Sequence, residues 1–280
     1  MKLGPKLLAD LEIHAEAAVD LLTRGLRREV ERVGFSRAIL GLSGGLDSAL
    51  TAYLAVRAFG ADNVLCVAMP YRESHPDSLA HARLVADVLG VELRLEDISP
   101  QIDAYFATHS DASPGRRGNK MARERMTILY DLSASEHSMV LGTSNKTELL
   151  LGYSTLWGDS ASAVNPIGDL YKTQVRQISR HLGVPSVVVD KAPSADLWEG
   201  QTDEGELGFT YEQVDALFVH LVDRRQRRVR LLELGFDGDF VDEVVRRMRA
   251  NQYKRKLPVI LKLSGRTVDK DFLYPRDWTG

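Results

Sequence analysis

The chain has 280 residues, of which 44% are hydrophobic and 27% charged, and its net charge is −3. This composition predicts one large α/β domain or a domain with an appendage, and the weak charge gives no general case for nucleic acid or a membrane as a partner. No apolar run approaches the roughly 20 residues of a membrane span. The N-terminal apolar run contains acids, so we expect no signal peptide. Because Cys66 is the only cysteine, we expect a cytoplasmic location.

The first predicted element is one long helix over residues 6–33, where apolar residues recur near helical spacing and Gly34 follows. Residues 38–40 form a short apolar run that is typical of a buried parallel strand. A glycine-rich loop comes next, and an alanine- and leucine-rich run to Phe59 predicts a helix. A strand, a glycine turn and a helix N-terminus in this order predict an anion site, because the free N–H groups and the helix dipole both favour negative charge.

This glycine-rich loop is the first candidate site, and we predict that it holds a polyphosphate. Its residues are Gly41, Leu42, Ser43, Gly44, Gly45, Leu46, Asp47 and Ser48. Asp47 repels a phosphate unless a cation lies between them, which predicts a bridging Mg²⁺. The loop lacks the Gly-Lys-Ser/Thr of a Walker loop, and it resembles the pyrophosphate loop of the ATP pyrophosphatases, which cleave ATP between the α and β phosphates. The alternative is a glycine-rich turn that binds nothing.

Strands and helices then alternate along the chain. Further strands are predicted at 63–69, 91–95, 139–143 and 184–189, with helices at 78–89, 120–135, from 144 and at 168–182. This order predicts an α/β fold with a doubly wound, mainly parallel five-stranded sheet flanked by helices, and ligands at the carboxyl ends of the strands. A lid loop at 191–208 and helices at 210–219, 222–234 and 240–251 are predicted to form a helical C-terminal region. The single domain, 1–280, thus divides into a leading helix (1–34), a nucleotide-binding core (35–190) and a C-terminal part (191–280).

Polar residues at later strand ends and helix starts are the next candidates. Thr143 ends the predicted strand at 139–143, Glu148 lies in the first turn of the following helix, and Lys172 lies in a later first turn. Asp47 and Glu148 share one rim of the predicted sheet and form a candidate pair of oxygen ligands for Mg²⁺. Taken alone, Glu148 is more often a helix N-terminal charge. Lys172 opposes the helix dipole unless it meets an anion, which predicts contact with a phosphate.

Seven blocks of sequence together resemble NAD synthetase, the family that amidates nicotinic acid adenine dinucleotide. In chain order they are SGGLDS at 43–48, MPYRES at 69–74, GNKMARERM at 118–126, GTSNKTELLLGY at 142–153, NPIGDLYKTQV at 165–175, PSADLWEGQTDEGELG at 193–208 and NQYKRKLP at 251–258. The resemblance covers nearly the whole chain. It implies an ATP-dependent ligase, and a homodimer whose interface helps to form the dinucleotide site.

The resemblance also implies roles for individual residues. ATP would contact the glycine-rich loop and Thr143, Lys172 and Ser194. The dinucleotide would contact Arg123, Tyr253 and Lys254, although many ammonia-dependent members have histidine in place of Tyr253. Asp47 and Lys172 would be catalytic, and Asp47 and Glu148 would bind Mg²⁺.

Two departures from the family pattern lie in the loop at 151–167. Leu156 and Ala163 stand where single-domain, ammonia-dependent members have a lysine and an aspartate, and residues 155–159 resemble the larger glutamine-dependent enzymes instead. No glutaminase domain fits beside the synthetase blocks. We therefore expect ammonia to arrive free or from a separate ammonia-supplying protein.

The chemistry that the resemblance implies begins by activating a carboxylate, whose own leaving group is too poor for direct amidation. ATP converts it to an acyl-adenylate with release of pyrophosphate, and ammonia then displaces AMP. Two alternatives remain at this point. One is another ATP-dependent amidating ligase with a pyrophosphate loop, and the other is a non-catalytic nucleotide-binding protein of the same fold.

Overall fold

The computed structural model describes residues 4–193, 203–255, 258, 260–268 and 271. Four strands form one parallel sheet in the order β3-β2-β1-β4. They are β1 (Ala38–Gly41), β2 (Val64–Ala68), β3 (Glu92–Leu95) and β4 (Met139–Val140). In the register, Ala38 pairs with Val64 of β2 on one side and with Met139 of β4 on the other. The predicted parallel α/β sheet is confirmed, with four strands rather than five.

Helices cover the sheet and continue beyond it. In chain order they are α1 (Pro5–Ala9), α2 (Ala15–Arg32), α3 (Leu46–Phe59), α4 (Pro76–Leu89), α5 (Ser99–Phe106), α6 (Pro114–Glu136), α7 (Lys146–Leu151), α8 (Lys172–His181), α9 (Ser186–Val189), α10 (Asp203–Leu207), α11 (Tyr211–Phe218), α12 (Arg228–Glu233) and α13 (Gly238–Ala250). A π-helical turn, Val219–Asp223, extends α11. Within the described residues, no helix is both long and apolar enough to cross a membrane.

The two faces of the sheet bury alternate residues of β1, as the two-residue period of a strand requires. Ala38 and Leu40 pack with residues of α2, α3, α4, α8 and α9 in one core. Ile39 points to the opposite face and packs with residues of α5 and α6. The C-terminal helices α11, α12 and α13 share a separate core with Leu7 and Tyr171. The sheet is therefore a central layer between two layers of helices, with a helical unit attached at α7 and α8.

The predicted fifth strand is wrong. Residues 184–189 lie outside the sheet, and residues 186–189 form a short helix, α9, that begins after Pro185. Val188 and Val189 are buried in the core, so their apolar, β-branched character reflects burial rather than strand pairing. The sheet edge beside β4 is occupied instead by an isolated parallel bridge between Leu141 and Val164.

The predicted long N-terminal helix is also wrong, because it is broken between α1 and α2. Asp10 lies in the break, where its carboxylate pairs with Arg224 at 2.7 Å and with Nε2 of His220 at 3.1 Å. Gln177 of α8 accepts a hydrogen bond from the N–H of Ile13 and donates one to the carbonyl of Leu11. These partners, distant in sequence, satisfy the backbone that a continuous helix would have satisfied itself.

Two further helices, α6 and α5, differ from the sequence prediction. Helix α6 begins at Pro114 rather than near 120, since Ser113 caps it by accepting a hydrogen bond from the N–H of Arg116. A proline in the first turn suits a helix because its missing N–H would be unpaired there anyway. Helix α5 was not predicted at all, and it starts with Ser99-Pro100.

Candidate active site

The glycine-rich loop joins β1 to α3, as predicted, and its two serines brace it. The hydroxyls of Ser43 and Ser48 are 3.0 Å apart, and the Ser43 N–H donates to the Ser48 hydroxyl at 3.2 Å. The Ser48 hydroxyl in turn donates to the carbonyl of Gly45 at 3.0 Å. The loop therefore holds its shape through internal hydrogen bonds, with the N-terminus of α3 behind it.

Gly44 is required in this loop for two reasons. Its φ is +78°, in the region that side chains disfavour, and an added Cβ would lie 2.0 Å from the carbonyl oxygen of Ser78. We expect Gly44→Ala to lower the free energy of unfolding by about 2–4 kcal/mol, combining left-handed strain with a backbone clash. Gly25→Ala is the matched control: it lies inside α2 with open space around it, and it should stabilise by about 0.5–1 kcal/mol. Equal urea midpoints for the two variants would contradict this role of Gly44.

A buried cluster of charges lies beside this loop. The ammonium of Lys172 contacts Oδ2 of Asp47 and lies 3.3 Å from Oε1 of Glu148. Oδ1 of Asp47 accepts a hydrogen bond of 2.9 Å from the side chain of Asn145. Asn145 also caps α7 by accepting from the N–H of Glu148 at 3.0 Å, and Glu148 reciprocates at the Asn145 N–H. Asn145 therefore ties Asp47 and Glu148 to one helix start.

Burial sets the protonation of this cluster. The Lys172 side chain is 5% exposed, and those of Asp47 and Glu148 are 16% and 15% exposed. Burial alone would lower the pKa of Lys172, but the charges of Asp47 and Glu148 outweigh it and raise that pKa. Burial, followed by the charge of Asp47, raises the pKa of Glu148 to about 8. The cluster thus carries one firmly held positive charge among acidic groups that are costly to ionise together.

A second layer of polar residues supports the cluster from beneath. Lys172 lies over the ring of Tyr211, 5.2 Å from its centroid, and the Tyr211 hydroxyl donates to Asp203 at 2.9 Å. Asp203 is buried, and burial raises its pKa. Its backbone N–H donates to the carbonyl of Pro193 at 3.0 Å. Asp203 therefore joins Pro193 to the polar residues that contact the charge cluster.

Asp215 of α11 joins the two helices that carry Glu148 and Lys172. It is fully buried and accepts hydrogen bonds from the Thr147 hydroxyl at 2.5 Å and from the Thr173 N–H at 2.8 Å. The Thr147 hydroxyl accepts from the N–H of Lys172 at 3.0 Å. Burial raises the pKa of Asp215 to about 6. This carboxylate fixes the start of α8 against the start of α7.

A cavity of 840 Å³ opens at the carboxyl ends of β1, β2 and β4 and reaches the charge cluster. Its walls include residues Ser43, Asp47, Thr143, Glu148, Lys172 and Lys254. Met69, Tyr71 and Arg125 also line the cavity, and Nε of Arg125 donates to the Met69 carbonyl at 2.9 Å. A cavity of this size is in the range of small-molecule sites and accommodates a nucleotide.

Two of the predicted contact residues lie outside the cavity lining. Arg123 is exposed outside the cavity lining, and its Nε donates to the carbonyl of Leu156 at 3.1 Å. Tyr253 is 55% exposed and also lies outside the lining. Ser194 falls outside the described residues. Lys254 lines the cavity, but its ammonium already donates to the carbonyls of Gly152 and Ser154.

Comparison with known proteins decides the family. A sequence model described as NAD synthase matches residues 18–258. The chain is 55% identical over 271 residues to the NH(3)-dependent NAD(+) synthetase of Trichlorobacter lovleyi, covering 97% of this chain and 99% of that protein. The chain belongs to the NAD synthase family. The predicted family and enzyme class, a ligase of NAD biosynthesis, are thereby confirmed.

Solved structures of NAD synthases and related enzymes share the fold. The NH3-dependent NAD synthetase from Campylobacter jejuni, solved with a nitrate ion, superposes with a TM-score of 0.77 at 32% identity, covering 89% of this chain and 100% of that one. The NMN synthetase from Francisella tularensis superposes with a TM-score of 0.80 at 29% identity, covering 90% of this chain and 100% of that one.

The acidic residues of this site are of the kind that could hold Mg²⁺ together with a polyphosphate. Among the described residues, no group of three or more His, Cys, Asp or Glu side chains is arranged to hold a metal ion. Asp47 and Glu148 supply two carboxylates, with Asp203 behind Lys172 as a third acidic group. Mg²⁺ typically takes one or two carboxylates and completes its octahedron with phosphate oxygens and water. The residues present match that pattern.

Several residues of the site were not predicted from the sequence. They are Asn145, Tyr211, Asp203, Asp215 and Arg176. Asn145 could have been found, because Asn-x-x-Glu before an apolar run is a helix-capping pattern. Tyr211, Asp203 and Asp215 come from later helices whose docking onto α7 and α8 depends on packing over long sequence separations, and no local pattern reports it. Arg176 lies on α8 itself, four residues after Lys172.

Proposed function

We propose that this chain amidates nicotinic acid adenine dinucleotide to NAD, with ATP and ammonia as co-substrates and AMP and pyrophosphate as products. The observation that carries the proposal is the placement of Lys172 between Asp47 and Glu148 beside the glycine-rich loop. A loop with free helix N–H groups, two carboxylates and a lysine suits cleavage of ATP at the α-phosphate. The high identity to an NH(3)-dependent NAD(+) synthetase supports the substrate and the nitrogen donor.

In the proposed reaction, the nicotinate carboxylate attacks the α-phosphorus of ATP, and pyrophosphate leaves with the electrons of the broken P–O bond. Bound Mg²⁺, held by Asp47 and Glu148, would neutralise phosphate charge. The N–H groups at the start of α3 and the ammonium of Lys172 would stabilise the charge that develops on the phosphates. Thr143 and Ser194 are proposed as further ATP contacts. Ammonia then attacks the acyl-adenylate carbonyl and displaces AMP.

The dinucleotide is proposed to enter from the end of the cavity near Lys254. Burial lowers the pKa of Lys254, and its two carbonyl partners hold its ammonium at the wall. Arg123 and Tyr253 are retained as proposed substrate contacts. Both lie outside the cavity lining, so they would contact only the part of the dinucleotide that extends out of the cavity. A homodimer whose second subunit completes the dinucleotide site would allow such contacts. A cytoplasmic location is also part of the proposal. So is ammonia that arrives either free or from a separate ammonia-supplying protein.

One assay tests the proposal directly. The purified chain is incubated with ATP, Mg²⁺, ammonium and nicotinic acid adenine dinucleotide, and NAD and AMP are quantified. We expect both products in equal amounts, and far less NAD when glutamine replaces ammonium. Amidation of xanthosine monophosphate with no NAD formed would favour another pyrophosphate-loop ligase, and binding of ATP without AMP formation would favour a non-catalytic protein.

A second substrate is tested in parallel because of the structural likeness to an NMN synthetase. Nicotinic acid mononucleotide replaces the dinucleotide at equal concentration. We expect kcat/KM to be higher for the dinucleotide, since the relative at 55% identity is a NAD synthetase whereas the NMN synthetase is 29% identical. A preference for the mononucleotide would contradict the proposed substrate.

A further inference from the structure

One positive charge in the cavity wall, that of Arg176, has no anionic partner within the described parts of the chain. Arg176 lies on α8 four residues after Lys172, so the two side chains share a helix face, and both line the cavity. Nε of Arg176 is buried and has no hydrogen-bond partner among the described residues. In the part of the chain that the structure describes, its guanidinium makes no ion pair. Burying part of a guanidinium is costly unless an anion completes its hydrogen bonds.

A second cation approaches the same loop from the other side. The ammonium of Lys191 donates to the hydroxyl of Ser78 at 3.1 Å. The carbonyl of the same serine packs against Gly44, where an added Cβ would lie 2.0 Å away. This contact places Lys191 beside the loop, and Lys191 also lines the cavity. Its ammonium is paired with a neutral hydroxyl, so its charge is available to a ligand.

These two charges differ from that of Lys172, which two carboxylates already hold. An anion that fits Arg176 and Lys191 must lie at the loop and carry several oxygens. We infer that Arg176 and Lys191 bind the β- and γ-phosphates of ATP and then the pyrophosphate that leaves, an inference that rests on the proposed function. As the bond between the α-phosphorus and the bridging oxygen breaks, its electron pair goes to that oxygen, and the added charge on pyrophosphate meets these cations.

The test measures binding of inorganic pyrophosphate with Mg²⁺ by calorimetry, and pyrophosphate as a product inhibitor. We expect Arg176→Gln to weaken pyrophosphate binding about tenfold to a hundredfold, the usual range for a lost charge-assisted hydrogen bond. Affinity for AMP should stay within about twofold, because the adenylate occupies the other side of the broken bond. Arg176→Lys should recover part of the affinity, and Lys191→Gln should weaken binding in the same direction.

Arg180→Gln is the matched control. Arg180 lies one turn further along α8, is exposed and pairs with Asp190 at 3.2 Å. It should bind pyrophosphate as the unmodified chain does. Unchanged pyrophosphate binding in Arg176→Gln, or equal losses for AMP and pyrophosphate, would overturn the inference. Binding of pyrophosphate that depends on Arg176 in a chain that forms no NAD would support this anion site while overturning the proposed function.

Discussion

Asp47→Asn is expected to lower the rate of AMP formation by about a thousandfold or more, the scale for loss of a principal electrostatic contact in a transition state. The change removes a carboxylate from the first turn of α3, where its oxygens face Asn145 and Lys172. It therefore removes half of the proposed metal pair and the anchor of the lysine together. Initial rates with saturating ATP, and a Mg²⁺ titration of each enzyme, measure the effect.

The fold should survive this substitution. An asparagine fills the same space, and loss of one negative charge relieves Glu148, whose pKa the charge of Asp47 helps to raise. Asp62→Asn, an exposed change beyond the far end of α3, serves as the control with full activity. Turnover near that of the control, at any Mg²⁺ concentration, would show that Asp47 is neither a metal ligand nor a catalytic group.

The sequence predicted correctly those elements of the fold that are specified by a few neighbouring residues. Residues 38–48 read correctly as strand, loop and helix start, because an apolar run, a glycine turn and an alanine- and leucine-rich helix are each specified over a few residues. The strand predicted at 184–189 and the continuous helix predicted through Asp10 are wrong for the same reason: the observed structure there depends on contacts with residues far along the chain. A valine run is equally apolar in a strand or a buried helix, and the break at Asp10 depends on Arg224 and His220, far along the chain.

The candidate site shows the same division. Asp47, Glu148 and Lys172 were predicted from their places at strand ends and helix starts, and the structure brings them together. Arg123 was assigned by resemblance alone, whereas Arg125, two residues on, faces the cavity. Neither propensity nor a motif states which side of α6 meets the cavity, because that depends on how the helix packs on the sheet.

Lys172→Met should be the most destabilising single change in the cluster. A methionine keeps the bulk of the lysine stem but leaves Asp47 and Glu148 facing each other without a cation. Breaking a buried pair in this way costs about 3–5 kcal/mol. Activity should fall with it, since the same ammonium is proposed to meet the phosphates. Urea unfolding at pH 7 with EDTA present measures the loss, and Lys120→Met, which breaks a more exposed pair with Glu124, should cost about 0.5 kcal/mol or less.

The pH dependence separates this explanation from simple loss of packing. Glu148 has a pKa of about 8 in the folded chain against an ordinary value of 4.5. Folding therefore takes up a proton, and stability falls as pH rises through this interval, levelling off above it. Without Lys172 the pKa of Glu148 rises further, so the variant should keep losing about 1.4 kcal/mol per pH unit where the unmodified chain has levelled off. The difference in free energy of unfolding between the unmodified chain and Lys172→Met should thus widen above about pH 8. Adding Glu148→Gln to Lys172→Met should abolish this widening. If this difference in free energy of unfolding stays constant with pH, lost packing and not the unpaired carboxylates accounts for the instability of Lys172→Met.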